Sequence, residues 1–539
     1  MTLLVVAPLL VALGTAVLTL ALGRRSRLQR AASVTGGVGY AGTVVAAVWR
    51  VVLGPTAPGA AAYQVGDWPA PFGISLVLDG LSAFMLTLAA VVGLASICFA
   101  VRFIDAENQR VYYHPLFHLL LVGVTGAFLT GDLFNLFVWF EVMLIVSYVF
   151  VAFYGSADAT AASFRYLVLN VFGSALMLVA IGGLYATTGT LNMADMAQRL
   201  ADPAAGVVTL PVVGLSALLL AVFALKAGLV PFQFWVPSAY AAAPLPITAM
   251  FAGVTKKVGM YAIVRLYFTV FADASVAVEF PWAAGESVLA FLAPALAVMG
   301  VASVVVGGFG AIGQTRLERV FAYSSVGQVG FIALPVAIAA AAGPVVGDAS
   351  GTLQVVAVAA ALVFAFHHAL AKGLLFFATA AVVDATGTDR IGALGGVARR
   401  SPVLAGTVFV GLLSLMGLPP LAGFFGKFLA FDAAVRGLGA GLALLSTVAL
   451  ATFLVGALLT LLYATRVWSD SFWGPETPVV ADATVEAGQL TVLVALAMAI
   501  VLVGVGFDPL YRFAETAATA AVDTEAYVDV VGLSGGAGA

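Results

Sequence analysis

Five lysines, Lys226, Lys256, Lys257, Lys372 and Lys427, all fall inside apolar segments long enough to cross a membrane. The 23 lysines and arginines divide into these five and eighteen arginines, and nearly all the arginines lie at helix ends or in loops. The division is chemical. An arginine stays charged at any workable pH, whereas a lysine can lose its proton when its ammonium is desolvated. A charge at a bilayer centre costs roughly 2.5–3.5 kcal/mol on insertion scales, so five cost on the order of 12–17 kcal/mol. A chain that keeps lysine inside the membrane at that cost, and arginine outside, has the residues needed to move protons.

Other groups extend the constellation. Glu141, in GDLFNLFVWFEVMLIVSYVFVA, is the one carboxylate expected in mid-span, about 14 Å deep at 1.5 Å per residue. An unpaired carboxylate at that depth takes up a proton, and a lysine partner keeps it ionised; Lys226 is the best candidate. Lys256 and Lys257 are adjacent, so they point about 100° apart on a helix. Lys257 is expected to face the polar interior, with Lys256 in a supporting role. His368 and Lys372 are spaced i, i+4 in FHHALAKGLLFF and share a helix face; histidine titrates near neutrality, which suits a proton pair. His367 points elsewhere. Lys427 completes the expected relay of Glu141, Lys226, Lys257, His368, Lys372 and Lys427. The secondary candidates are Lys256, His367, Asp79, Tyr323 and Ser325. Asp79 and Asp132 read mainly as helix N-caps, and Tyr323, Ser324, Ser325 and Gln328 as hydroxyls and an amide able to hold water or bond across helices. His114 and His118 are also i, i+4, but without a third ligand they suggest interfacial packing rather than a metal site.

These residues must be held in a membrane. The 539 residues are 63% hydrophobic and 9% charged, against about 45–50% and about 25% in a soluble domain. Apolar runs of about 20 residues give fourteen spans, roughly 2–22, 31–53, 76–103, 114–130, 132–153, 163–187, 209–241, 244–271, 286–311, 319–342, 353–383, 402–435, 445–466 and 488–508. The class is all-α and polytopic. The first span lacks a positive leader and is followed by Arg24, Arg25, Arg27 and Arg30, so it reads as an uncleaved span. With both termini outside, arginines divide 13 inside to 3 outside.

Spans seven and twelve are too long for one straight crossing, and both are interrupted. Pro231 and Pro237 follow Lys226 in LKAGLVPFQFWVP, and Pro419 and Pro420 precede Lys427 in MGLPPLAGFFGKF. Proline removes a helix donor, and unwound backbone is tolerated in a membrane where it is protein-buried or lines a watery cavity. Two breaks five spans apart lie in oppositely oriented halves, the pattern of inverted repeats. The expected divisions are an N-terminal unit of three helices (1–112), a first repeat of spans four to eight (113–272), a second of spans nine to thirteen (286–470), and a last helix with an outer tail (488–539). The tail, AVDTEAYVDVVGLSGGAGA, reads as disordered or loosely packed.

One cysteine, Cys98, excludes a disulfide framework and a cysteine-held iron–sulfur cluster. There is no phosphate-binding loop, dinucleotide fingerprint or HExxH. Nothing calls for a metal, a cofactor or nucleic acid.

Six segments carry a resemblance: GDLFNLFVWFEVMLIVSYV, LKAGLVPFQFWVPSAYAAAPLPI, TKKVGMYAIVR, ERVFAYSSVGQVGF, HHALAKGLLFF and LPPLAGFFGKF. The chain resembles, over nearly its whole length, the antiporter-like membrane subunits shared by Mrp cation/proton antiporters, respiratory complex I and membrane-bound hydrogenases. The fifth span and LAGFFGKF are most similar to the D-type Mrp branch. The resemblance implies fourteen helices, two inverted five-helix repeats, broken helices seven and twelve, and functional residues at Glu141, Lys226, Lys257, His368 with Lys372, and Lys427. It also implies a multi-pass subunit of a prokaryotic cell membrane. Its partners would be the other membrane subunits of an Mrp-type complex (A, B, C, E, F and G types), and the ions moved would be protons and Na⁺. The alternative is a proton-pumping subunit of complex I or a hydrogenase, driven by electron transfer on other chains.

Overall fold

The computed structural model describes residues 2–104, 111–276, 287–343 and 351–533. Arg110 and the last six residues of the tail, counted above, lie outside these. Among the described residues twelve helices are long and apolar enough to cross a membrane, and Tyr113–Leu129 and Pro402–Met416 are shorter apolar helices. Every expected span is a helix. They are α1 (Thr2–Ala21), α2 (Ser26–Val48), α3 (Gly80–Phe103), α4 (Tyr113–Leu129), α5 (Leu133–Val151), α6 (Ala157–Thr188), α7 (Thr209–Ala227, then Trp235–Ala242), α8 (Leu245–Val270), α9 (Val288–Ile312), α10 (Leu317–Ala341), α11 (Leu353–Thr386), α12 (Pro402–Met416, then Ala422–Gly439), α13 (Ala443–Val467) and α14 (Ala487–Val505). The protein is an all-α, multi-pass membrane protein. A two-stranded hairpin, β1 (Ala61–Gln64) with β2 (Ser75–Leu78), is a small addition the apolar pattern did not announce.

Polar residues set the helix ends. Asp79, Asp132, Ser156, Ser287 and Thr352 accept a backbone N–H as N-caps. Gly189, Gly228, Gly387 and Gly417 end helices in the left-handed conformation that glycine takes without penalty. α8, α10 and α11 are almost wholly buried and form the centre, while α1, α2, α6, α13 and α14 expose more than half of their apolar windows. α11 has 34 residues, about 51 Å at 1.5 Å each, and touches α3, α8, α10, both halves of α12 and α14.

The connecting loops sort into two faces. On one, Arg30 donates to Ile104 O, Arg400 to Ala483 O, Arg466 to Ile312 O, and Arg102 meets Glu486 at 3.7 Å. On the other, Gly131 N–H bonds Ser75 O, Thr269 bonds Ala521 O, and Tyr527 reaches Met193. The described part of the tail is a correction: after α15 (Asp508–Val522), α16 (Thr524–Val531) is an ordered helix within it, the two cover this second face, and Tyr527 is buried. The segment looked disordered because its few apolar residues are interspersed with acids; Tyr527, Val528 and Val531 make one buried face at helical spacing, as alanines 514, 517, 518 and 521 do in the helix before it.

The two faces carry matching crossed loops. Leu133 N–H bonds Leu191 O and Met193 N–H bonds Gly131 O; Leu317 N–H bonds Asp389 O and Ile391 N–H bonds Thr315 O. Thr188 and Thr386 each bond back four residues and forward to Thr190 O and Thr388 O respectively.

The two breaks match as well. Gly228 N–H bonds Leu225 O and Leu229 N–H bonds Ala224 O; Gly417 N–H bonds Ser414 O and Leu418 N–H bonds Leu413 O. Both are Schellman ends, and each is followed three residues on by a cis proline, Pro231 and Pro420. Pro237 is not part of a break. It sits in the first turn of the second half of α7, where a missing N–H costs nothing.

At the second break the halves of α12 touch through Gly423, where a Cβ would lie 1.8 Å from Ser414 O and 2.6 Å from His367 Cε1. Gly423→Ala is expected to cost about 1–3 kcal/mol by overpacking, read as a lowered melting temperature in detergent. Gly406→Ala, a site with no atom within 4 Å, should be neutral or stabilising.

Candidate functional site, a buried row of amines and imidazoles

The row begins on α5. Glu141 does not meet Lys226 directly. Ser174 on α6 donates a short hydrogen bond to Glu141 Oε1, and the Lys226 ammonium reaches Ser174 Oγ at 3.3 Å and Asn170 Oδ1 at 3.2 Å. The Phe140 ring lies 6.0 Å from the Lys226 ammonium. Acid, hydroxyl and amine therefore stand in series. Sequence reading named the acid and the amine and missed Ser174 and Asn170. One signal was present: in NVFGS, the two polar side chains are four apart and share a face.

Lys226 lies two residues before the first break, and Lys256 lies against the break itself. A Cβ at Gly228 would sit 3.1 Å from Lys256 Cε. The Lys256 ammonium donates to Ser325 O at 3.1 Å, which ties α8 to α10. Its neighbour turns toward α11: Lys257 lies 2.7 Å from His368 Nδ1 and also donates to Ala252 O. Both lysines are buried.

His368 and Lys372 do share a face of α11, but they bond to different helices. Lys372 makes a short hydrogen bond to Ser324 Oγ and a 2.9 Å bond to Phe321 O on α10. Ser325 contributes its carbonyl, while its hydroxyl bonds its own helix at Phe321 O. Gln328 turns to Thr460 and Tyr463 on α13. Tyr323 faces α9, where a Cβ on Gly310 would collide with its ring, and stands apart from the row. His367 meets Ser414 Oγ on α12 at 3.2 Å. Beyond the second break Lys427 donates to Met416 O at 2.8 Å, with the Phe331 ring 5.6 Å away.

Asp79 has a second role besides capping α3. It accepts from Ser82 N–H at 2.9 Å and pairs with Arg265 at 2.7 Å. Arg265, on the last turns of α8, corrects the expectation that arginines lie outside the membrane core. It is fully buried, with Tyr527 of α16 packed 4.8 Å from its guanidinium. Asp132 caps α5 through Asn135 N–H at 2.6 Å, and burial pushes its carboxyl up from the usual range. His114 and His118 share the hydroxyl of Ser33 at 3.0 and 2.9 Å, tying α4 to α2 away from the row.

Fold and site together define a polytopic helical membrane protein with a row of buried amines and imidazoles running from one broken helix to the other. Residues 130–454 match the family model described as NADH:quinone oxidoreductase/Mrp antiporter, transmembrane. The chain is 33% identical over 470 residues to the D-type Na⁺/H⁺ antiporter protein of Alkalihalophilus pseudofirmus, covering 87% of each chain. It is 31% identical over 533 residues to the protein of the same name from Bacillus subtilis, covering 98% of this chain and 99% of that one. It superposes on a chain of the Mrp complex from Dietzia sp. with a TM-score of 0.83 and 29% identity, covering 98% and 100%. The chain belongs to the NADH:quinone oxidoreductase/Mrp antiporter transmembrane family.

Removing Asp79 leaves Arg265 buried and unpaired, so Asp79→Ala is expected to cost about 3–5 kcal/mol. Thermal unfolding in detergent checks this, and the double variant Asp79→Asn with Arg265→Gln should recover most of the loss.

Proposed function

We propose that this chain is the D-type member of a multisubunit monovalent cation/proton antiporter and moves protons along the row from Glu141 to Lys427. The observation that carries the reading is the series of neutral partners around the amines. Lys226, Lys256, Lys372 and Lys427 bond only to hydroxyls, an amide and carbonyls among the described residues. Such partners solvate an ammonium and also tolerate a neutral amine, whereas a carboxylate pair would lock the proton in place. Glu141 supplies one adjustable charge at the start of the row. The family relationship, and the relatives named as antiporter subunits, support the same reading.

In this reading the chain works as an ion transporter in a prokaryotic cell membrane, with both termini outside. It assembles with other membrane subunits, of A, B, C, E, F and G types, and Na⁺ is the exchanged cation. The matching crossed loops and matching breaks support two inverted repeats, α4–α8 and α9–α13. The second half differs in its charges: Ser324 and Lys372 stand across α10 and α11 where Glu141 and Ser174 stand across α5 and α6.

The test is antiport in everted membrane vesicles containing the assembled complex. Lys226→Ala is expected to abolish cation-dependent proton movement; unchanged antiport with normal assembly overturns the mechanism. Ser174→Ala should lower the rate on the order of 10²-fold, the lower end for a positioned proton-transfer group, and Ser174→Thr should restore most of it. A purely structural serine would not show that rescue together with an unaltered melting temperature. Co-purification of iron–sulfur or quinone-binding subunits would reassign the chain to a redox-driven pump.

A further inference from the structure

Away from the amine row, on the arginine-rich face, two cavities adjoin. One, about 530 Å³, is polar and is lined by Ser156, Asp158, Arg165, Arg316, Glu318 and Arg319 among others. The other, about 800 Å³, is a furrow lined mainly by apolar groups, including Phe164, Val168, Leu169, Phe234 and Val306. Arg165, Arg319 and Ser238 line both, so they mark the boundary between wet and apolar space. The furrow lies on the outside of the bundle, with Phe164 66% and Phe234 72% exposed.

Three further facts bear on what fills it. The polar chamber holds three arginines against two carboxylates. Arg316 is taken up by Glu318 at 2.7 Å and Asp389 at 2.9 Å, while Arg165 and Arg319 make no salt bridge among the described residues. The N-termini of α6, capped by Ser156, and of α10, preceded by Arg316, open onto the same chamber, and helix N-termini favour anions. Gln233, in the break of α7 and on the wall of the furrow, is 8% exposed, and its Oε1 has no hydrogen-bond partner. A buried amide oxygen left without a donor is costly, so this wall suits a ligand that brings a hydrogen-bond donor, as a headgroup hydroxyl does.

We propose that the junction of the two cavities binds an anionic phospholipid with a hydroxyl-bearing headgroup, of the phosphatidylglycerol class. Its phosphate lies between Arg165 and Arg319, a headgroup hydroxyl donates to Gln233 Oε1, and an acyl chain lies along Phe164, Val168, Phe234 and Val306. An amphiphile matches the site because its charge and its apolar tail divide where the cavities divide. Arginine serves phosphate through its planar fork of donors. None of the five amines lines either cavity, and the inference does not depend on the proposed function.

The test uses the full chain in its native assembly, extracted in mild detergent. Phosphatidylglycerol and phosphatidylethanolamine with identical acyl chains are supplied in equal amounts, and retained lipid is measured by native mass spectrometry. The wild type is expected to retain phosphatidylglycerol in at least about tenfold excess. Arg165→Gln with Arg319→Gln should remove on the order of tenfold of that preference, from the attraction each basic residue exerts on an anionic lipid, and the corresponding lysine pair should keep most of it. Equal retention of the two lipids by the wild type overturns the proposal, and decides it alone should the glutamine pair fail to assemble. So does displacement of the lipid by inorganic phosphate, which would mark a site for soluble anions. A photoreactive side chain at Val168 that labels another polypeptide instead of lipid would assign the furrow to a partner subunit and overturn the proposal too.

Discussion

Five amines are buried in this bundle with a single carboxylate, Glu141, at one end of the row, and most of its irregular features follow from that constraint. An ammonium out of water needs acceptors, and a regular helix has few to give because each carbonyl already accepts one bond. Lys256 and Lys372 take second bonds at carbonyls of α10, Ser325 O and Phe321 O, and two other amines find carbonyls where the helix is not regular. Ala252 O, which takes Lys257, lies in a wide turn at Phe251–Thr255. Met416 O, which takes Lys427, is the last carbonyl before the second break. Lys226 sits one residue from the end of the first half of α7 and borrows its acceptors from Asn170 and Ser174. The second break and the wide turn of α8 thus solvate two of the five amines, Lys427 and Lys257.

The same constraint explains what was legible in the sequence. Lysine inside an apolar run is conspicuous by type, and proline with glycine beside it marks broken backbone, so the spans, the two breaks and the amines could be read directly. Partners across helices could not. His368 and Lys372 share a face by spacing, yet spacing says nothing of the helix that face meets, and one turned out to bond α8 and the other α10. Ser174 is one small hydroxyl among many in apolar helices, a residue type that commonly bonds its own backbone. Arg265 was hidden for a different reason. An arginine near the end of a span reads as an interfacial residue, and only the approach of Asp79, 186 residues away, together with α16 shows that it is buried.

Arg265 also shows why lysine and arginine are kept apart. Its guanidinium has a fixed charge, so it is matched by a fixed carboxylate and roofed by an aromatic ring at the face where α15 and α16 close the bundle. That is the arrangement for a charge that must stay. The lysines have hydroxyls, carbonyls, an amide and an imidazole instead, which under the proposed function suit a charge that can come and go. Two kinds of buried cation in one chain, each with the partner its chemistry requires, give an internal comparison that composition alone cannot.

Under the proposed function the asymmetry between the halves sets an order of events. In the first half a proton on Lys226 sits beside Ser174 and Glu141, so a negative charge can balance it. Where the halves meet, Lys256 and Lys257 of α8 and Lys372 of α11 surround His368 and Ser324 with no carboxylate bonded to any of them among the described residues. Like charges held close in a medium of low dielectric repel strongly, so the three amines do not all carry protons together. A proton arriving at one is offset by a proton leaving another. Successive occupancy of this kind moves charge along the row without a large displacement of any helix, and it needs an acid at one end only, to load the first amine.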